Sequence, residues 1–291
     1  MQNKLTFKPF LEINLAMLFI STSGVLGRYI QLSPELIICL RGIFGGLFLF
    51  MFIFYKKLDL RIEKQDRGMV FLGSVMLGAH WVLYFYALQL SSVAIGMLSV
   101  FTYPVITSLL EPLILKTKFQ AVHILLAVIV LIGLYFLVPK SGMDSQVYLA
   151  VGLGVLSALC YSIRNILMKS KVEKYNGSSL MFYQIVVISI LLLPTMFMDV
   201  NWISVKEQLP YVALLGLLTT TIGHTLFLMS FKNFSVTTAS LISGVQPIYG
   251  IILGVIFLSE IPSFGTIIGG AIILLSVVIE NMRAMRTGAK T

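Results

Sequence analysis

The side chains of this chain that could bind or move something are polar residues set inside long apolar runs. His80, Trp81 and Tyr84 fall in one run, where His80 and Tyr84, four residues apart, share a helix face. His224 lies in another run. A histidine's ordinary pKa is close to physiological pH, so either ring can carry or release a coupling proton. Tyr103, Asn165, Gln246 and Tyr249 add hydroxyl and amide groups in further runs. Taken together the eight suit a substrate cavity, and taken singly each also suits a hydrogen bond that packs two helices.

Three charges stand in the same setting. Arg41 interrupts "LIICLRGIFGGLFLF", and a cation at the centre of such a run costs at least about 2.5–3.5 kcal/mol on insertion scales. It can capture a substrate carboxylate, or it can cap carbonyls and lock neighbouring helices. Gly42, Gly45 and Gly46 beside it form a small face that lets another helix approach closely. Arg164 and Glu111 are expected near the inner ends of their runs, where they either pair as a gate or snorkel separately to the surface. Arg28 is expected to snorkel at the outer end of the first run. The pattern holds no catalytic signature. His80, His123 and His224 have no Cys, Asp or Glu at metal-ligand spacing, and there is no P-loop. The expectation is no enzyme, no metal and no cofactor.

The runs themselves define the class. Apolar residues make up 58% of the 291 and charged residues 11%, less than half the share usual in soluble domains. Ten apolar blocks are long enough to cross a bilayer, near residues 11–30, 35–55, 68–89, 92–115, 120–138, 147–168, 178–198, 209–231, 235–258 and 262–281. The first is too long for a signal-peptide core and lacks a small-residue cleavage site, so it reads as a retained helix. Cys39 and Cys160 sit in separate blocks and read as packing residues. The net charge of +9 does not indicate nucleic acid, because its placement is topological. With the N-terminus inside, sixteen of the 21 lysines and arginines fall in inner segments and only Lys140 and Lys206 in outer ones. That asymmetry puts both termini in the cytoplasm.

The chain also repeats. Shifted by 143 residues without a gap, "LSSVAIGMLSVFTYPVITSLL" and "NFSVTTASLISGVQPIYGIIL" share Ser92-Val93 with Ser235-Val236, Leu98 with Leu241, and Pro104 with Pro247. The two stretches are the fourth and ninth blocks. Two five-helix repeats follow, residues 1–140 and 141–291, and because five is odd the second enters the membrane from the opposite face. Pro104 and Pro247 are expected to kink their helices around an interior space. The same shift sets Trp81 against His224 and brings both histidines near the midplane.

The stretches "ISTSGVLGRYIQLSPELIICLRG", "ALQLSSVAIGMLSVFTYPVITSLLEPLIL" and "SFKNFSVTTASLISGVQPIYGIILGVIFLSEIPSFGTIIGGAIILLSVVI" resemble the tandem repeats of the drug/metabolite transporter superfamily, EamA type. The resemblance covers about the whole chain. "SEIPS" ends the second repeat in the family's manner, whereas the first has "LKTKF" there and Glu111 earlier. The resemblance implies a ten-helix bundle around a central cavity lined by helices three, four, eight and nine, and export of amino acids or other small metabolites. Members with unlike substrates share the setting of Arg41, which favours a structural or gating cation.

The resulting expectation is an all-α polytopic membrane protein of the inner membrane, with ten transmembrane helices in two inverted repeats. Its partners are the lipid bilayer and a small polar or amphoteric metabolite, moved by alternating access. The first helix lacks a midplane carboxylate, which disfavours glutamate-based exchange of lipophilic cations. The rival expectation is a non-transporting scaffold, or a helper subunit in lipid or glycan handling, whose intramembrane polar groups are all paired off.

Overall fold

The structure is a computed structural model that describes residues 7–116, 122–137 and 145–288. The expected repeat boundary at 140/141 lies outside the described residues, as do Lys4, Lys118, Lys140 and Lys290 of the charge count. The side chain of His123 also lies outside them. The described residues form helices joined by short connections and contain no strand.

Thirteen α-helices follow one another in this part of the chain: α1 (Phe7–Tyr29), α2 (Pro34–Lys56), α3 (Arg67–Gln89), α4 (Val93–Val100), α5 (Tyr103–Leu115), α6 (Val122–Leu137), α7 (Ser145–Lys174), α8 (Gly177–Leu192), α9 (Trp202–Leu215), α10 (Thr225–Ser230), α11 (Val236–Ile242), α12 (Gln246–Leu258) and α13 (Phe264–Gly288). Several stack end to end. Seven continuous helical stretches among the described residues are long and apolar enough to cross a membrane, and the apolar stretches Ile124–Phe136, Ser243–Leu258 and Phe264–Ser276 are shorter. Leu47, Phe54, Leu113, Tyr135, Ile256 and Phe264 point outward and are exposed. A soluble monomer rarely presents such a surface. This is a multi-pass membrane protein.

Three boundaries differ most from the sequence reading, and one is the end of the tenth block, expected near 281, where α13 runs on to Gly288. The sixth block was expected to end near 168, but α7 runs on to Lys174. The eighth was expected to start near 209, but α9 starts at Trp202. Hydropathy marks the hydrocarbon, and these helices project past it into polar surroundings. At Trp202 the start is fixed by Asn201, whose Oδ1 accepts from the N–H groups of Ile203 and Ser204.

The prolines act differently from a kink in mid-helix. Pro104 is the second residue of α5, after a break at Phe101 and Thr102, and Pro247 is the second residue of α12, after a 3₁₀ turn over Ser243–Val245. In the first turn of a helix proline's missing N–H would have no partner anyway. Each proline therefore restarts a helix that has already broken.

The packing pairs α3 with α7, α2 with α8 and α6 with α13. It pairs α1 with α12 and with a stretch of π-helix, Gly216–His224, that joins α9 to α10. Small residues make these contacts close. A Cβ on Gly216 would stand 3.0 Å from both the Arg41 carbonyl and the Gly45 nitrogen, so α2 and the π-helix touch backbone to backbone. The sequence "GLLTTTIGH" explains the wide turn. Glycine and threonine are poor α-helix formers, and Thr221 Oγ1 donates to the carbonyl of Gly216 five residues back and to that of Gly45 on α2, each at 3.1 Å.

Candidate functional site

The backbone contact between α2 and the π-helix fixes Arg41. Its Nε donates to Thr220 Oγ1 at 2.6 Å, and its guanidinium carbon lies 4.0 Å from the centre of the Trp81 ring. Trp81 is buried on α3, and its Nε1–H donates to His224 Nε2 at 3.2 Å. That accepting nitrogen carries no proton, so the neutral His224 ring has its proton on Nδ1. On the other side of α3, His80 Nδ1 donates to Ser157 Oγ at 2.7 Å, and the Ser157 hydroxyl donates to the His80 carbonyl at 2.8 Å. The His80 ring stacks on Tyr161 with centroids 4.2 Å apart. Thus α2, α3, α7 and the π-helix each give a polar group to one small space.

That space is a narrow cavity of about 20 Å³ lined by Ser23, Arg41, His80, Trp81, Tyr84, Tyr103, Tyr161, His224 and Gln246, with Ile20, Met97, Val100 and Phe101 between them. A volume of that size holds roughly one water. Several buried polar atoms on its lining have no hydrogen-bond partner among the described residues: Arg41 Nη1 and Nη2, the Tyr84 hydroxyl and His224 Nδ1. A buried polar group without a partner costs about 1–3 kcal/mol, and a charged one more. Such an arrangement is suited to receiving a polar guest.

Six of the eight residues expected to line a cavity do so: His80, Trp81, Tyr84, Tyr103, His224 and Gln246. Tyr103 bonds Ser243 through its hydroxyl, which joins α5 to the turn before α12. Asn165 is fully buried but lies outside the lining, where its Oδ1 accepts from Arg164 Nη1 at 3.0 Å. Tyr249 packs against the main core, away from the lining. Tyr161 was not anticipated. A single tyrosine in an apolar run gives no signal of its own, though its place one turn before Asn165 did.

The charges require two corrections. Arg164 neither pairs with Glu111 nor reaches the surface. It is fully buried, with Nε donating to Gln184 Oε1 at 2.8 Å, Nη1 to Asn165 and Nη2 to the Met181 sulfur. The reason is packing, since Gln184 on α8 and the adjacent Asn165 turn their amide oxygens to the guanidinium. Glu111 sits near the end of α5 beside the exposed Leu113, Ile114 and Leu115. Arg28 does not merely snorkel. Its Nε bonds Glu260 Oε1 at 3.0 Å and its Nη1 donates to the Gln89 carbonyl at 3.2 Å.

Arg28 and Glu260 belong to one end of the bundle. There Glu260 Oε2 also accepts from the Val93 N–H at 2.8 Å, and a recess of about 680 Å³ opens between Arg28, Gln31, Glu207, Gln208, Tyr211 and Glu260. At the other end, Asp66 lies just before α3. Its Oδ1 bonds Lys171 at 2.7 Å, while Oδ2 bonds Lys174 at 3.0 Å and the Tyr175 hydroxyl at 2.5 Å. Lys174 also reaches Glu63 at 2.6 Å. That bond, with a second from Gln65, holds the Glu63 carboxyl below the usual carboxylate range.

Among the described residues the protein is a helical membrane bundle with polar groups gathered at a buried centre. The chain belongs to the EamA-like transporter family, among the drug/metabolite transporters, with matches over residues 10–138 and 148–282. It is 25% identical to an uncharacterized transporter, YwfM, of Bacillus subtilis, over 88% of each chain. It is 24% identical to the pseudopaline exporter CntI of Pseudomonas aeruginosa, over 79% of this chain and 80% of that one. A crystal structure superposes with a TM-score of 0.71 over 96% of this chain and 98% of its own, at 17% identity, which bears on the fold alone.

Proposed function

We propose that this protein is a secondary transporter of the inner membrane that exports a small polar, amino-acid-like metabolite by alternating access between two inverted five-helix halves, with both termini in the cytoplasm. The observation that carries the reading is the central cavity, whose lining leaves the two Nη atoms of Arg41, Nδ1 of His224 and the Tyr84 hydroxyl without partners among the described residues. A scaffold would have paired those groups off. The packing supports the inverted halves. Counting α4–α5 and α11–α12 as one helix each, α3–α7 corresponds to the π-helix–α1 contact, and α4–α7 to α12–α1, while α2–α8 and α6–α13 correspond to themselves. The bond from Trp81 to His224 spans 143 residues, the offset of the repeat. The two separate family matches agree with halves of that length. The direction of transport rests on the likeness to a named exporter. Any coupling proton would be carried by His80 or His224, the two imidazoles on the cavity lining.

Counterflow in proteoliposomes, screened across a charge-diverse metabolite library, tests this. The expected outcome is saturable exchange of a few related solutes and none of the rest. Absence of any exchange, together with cysteines at positions 80 and 224 that stay unreactive to aqueous reagents, would falsify the transporter mechanism.

A further inference from the structure

We infer that Arg41 is the carboxylate receptor of the cavity, and that the solute is a small anion whose carboxylate is not balanced by an ammonium group. This rests on the transporter reading of the same cavity and narrows its amino-acid-like substrate class to solutes with more carboxylates than ammonium groups.

The argument begins with how Arg41 is held. One face of its guanidinium is covered by Trp81 at 4.0 Å, with Phe85 at 5.8 Å, and its Nε is taken by Thr220. What remains is the edge formed by Nη1 and Nη2, and both atoms are buried without a partner among the described residues. A purely structural arginine would spend that edge on carbonyls or a carboxylate. Here the stem, the face and Nε are fixed while the two-donor fork, the geometry that matches a carboxylate, is left free.

The neighbouring free groups point the same way. His224, whose Nε2 accepts from Trp81, presents Nδ1–H as a donor, and the Tyr84 hydroxyl is free to donate. Arg41, His224 and Tyr84 all line the one cavity.

The charge balance supplies the second half of the inference. Among the described residues, Arg41 and Arg164 are fully buried, and the one buried carboxylate, Asp66, is already bonded to two lysines. Arg164 is met by neutral oxygens of Gln184 and Asn165. No residue on the cavity lining is acidic. The interior therefore carries two cations with no counter-ion of its own, and an uncompensated buried charge is costly. A guest that brings a net negative charge relieves that cost. A zwitterion does so only in part, and an amine would add to it.

The test uses full-length protein with Trp202 changed to Phe, which leaves Trp81 as the one tryptophan and its fluorescence as a report on the stacked guanidinium. Matched probes are titrated: isovalerate against isovaleramide and isoamylamine, and succinate against succinamide and putrescine. In each set the acid is expected to bind about 10–100-fold more tightly than its amide, the ratio for a charge-assisted pair. The amine should not bind. Arg41→Gln should abolish the preference, and Arg41→Lys, which keeps the charge and loses the fork, should retain part of it. An amide or amine that binds as tightly as its acid overturns the inference, and the wild-type comparison decides this even where Arg41→Gln does not fold. So does an acid preference that survives in Arg41→Gln, or a complete lack of acid binding. Acid binding without counterflow would remove the transporter reading and leave the receptor. Counterflow of neutral or cationic solutes alone would do the reverse.

Discussion

Arg28 and Lys171 stand 143 residues apart, the offset of the proposed repeat, and each is held by a carboxylate from elsewhere in the chain, yet in different company. Lys171 shares Asp66 with Lys174 and Tyr175, and Lys174 brings in Glu63, so five side chains close one end of the α3–α7 pair. Arg28 has Glu260 and a backbone carbonyl, beside an open recess. The cations are equivalent by position and the carboxylates are not. Asp66 precedes α3, whereas Glu260 follows α12. Equivalent cations thus end up with unequal restraint. The Asp66 end is a fastened joint, and the Arg28 end is one ion pair beside an open recess.

Removing Asp66 should give the largest effect. Asp66→Asn leaves two lysines without their shared carboxylate, and the melting temperature in detergent should fall more than in any other variant here. Adding Lys171→Met should restore part of the loss, because removing both members of a pair costs less than removing one. A drop no larger than that of Glu260→Gln would erase the distinction between the ends.

Glu260→Gln comes next. It removes one ion pair and weakens the bond to Val93 N–H, which corresponds to about 0.5–1.5 kcal/mol. Its clearer signature is access. A cysteine at Gln208 in the recess should react with a membrane-impermeant maleimide, and faster in the Glu260→Gln background. Unchanged labelling would mean that Arg28 and Glu260 do not control the opening.

Glu63→Gln should have the smallest effect, since Asp66 still holds Lys174. Its pH dependence has a defined sign. A carboxyl whose folded pKa is depressed stabilises above its unfolded pKa, and that stabilisation is lost as pH falls through the folded value. Wild type and variant should therefore converge in melting temperature only below the ordinary glutamate range, near about pH 4. Convergence already at neutral pH would show that the Glu63 bond contributes nothing to the joint.

These pairs also show what the sequence could and could not disclose. The apolar blocks and the 143-residue offset are visible because lipid imposes length and repetition imposes spacing; the offset aligns Trp81 with His224, but only the fold brings the two into contact. Arg41 was visible by its cost alone. Whether it locked helices or awaited a guest depended on which of its nitrogens found partners, and that is set by Thr220 and Trp81, far away in the chain. Asp66 was hidden in "KKLDLRIEKQDR", where the bases read as a topological signal and the acid as noise. Ser157 and Tyr161, which hold His80, look like any small or aromatic residue of a membrane helix until α3 and α7 are placed together.

Trp81 and His224 have one more consequence. Residues that are equivalent in two related halves and also touch must lie on the axis that relates the halves. An ancestral half that assembled with its own copy would have met itself there. Two copies of the first half would set indole against indole, two donors and no acceptor. Two copies of the second would set imidazole against imidazole. Two identical halves cannot set an indole against an imidazole, so the halves proposed here differ at their own axis.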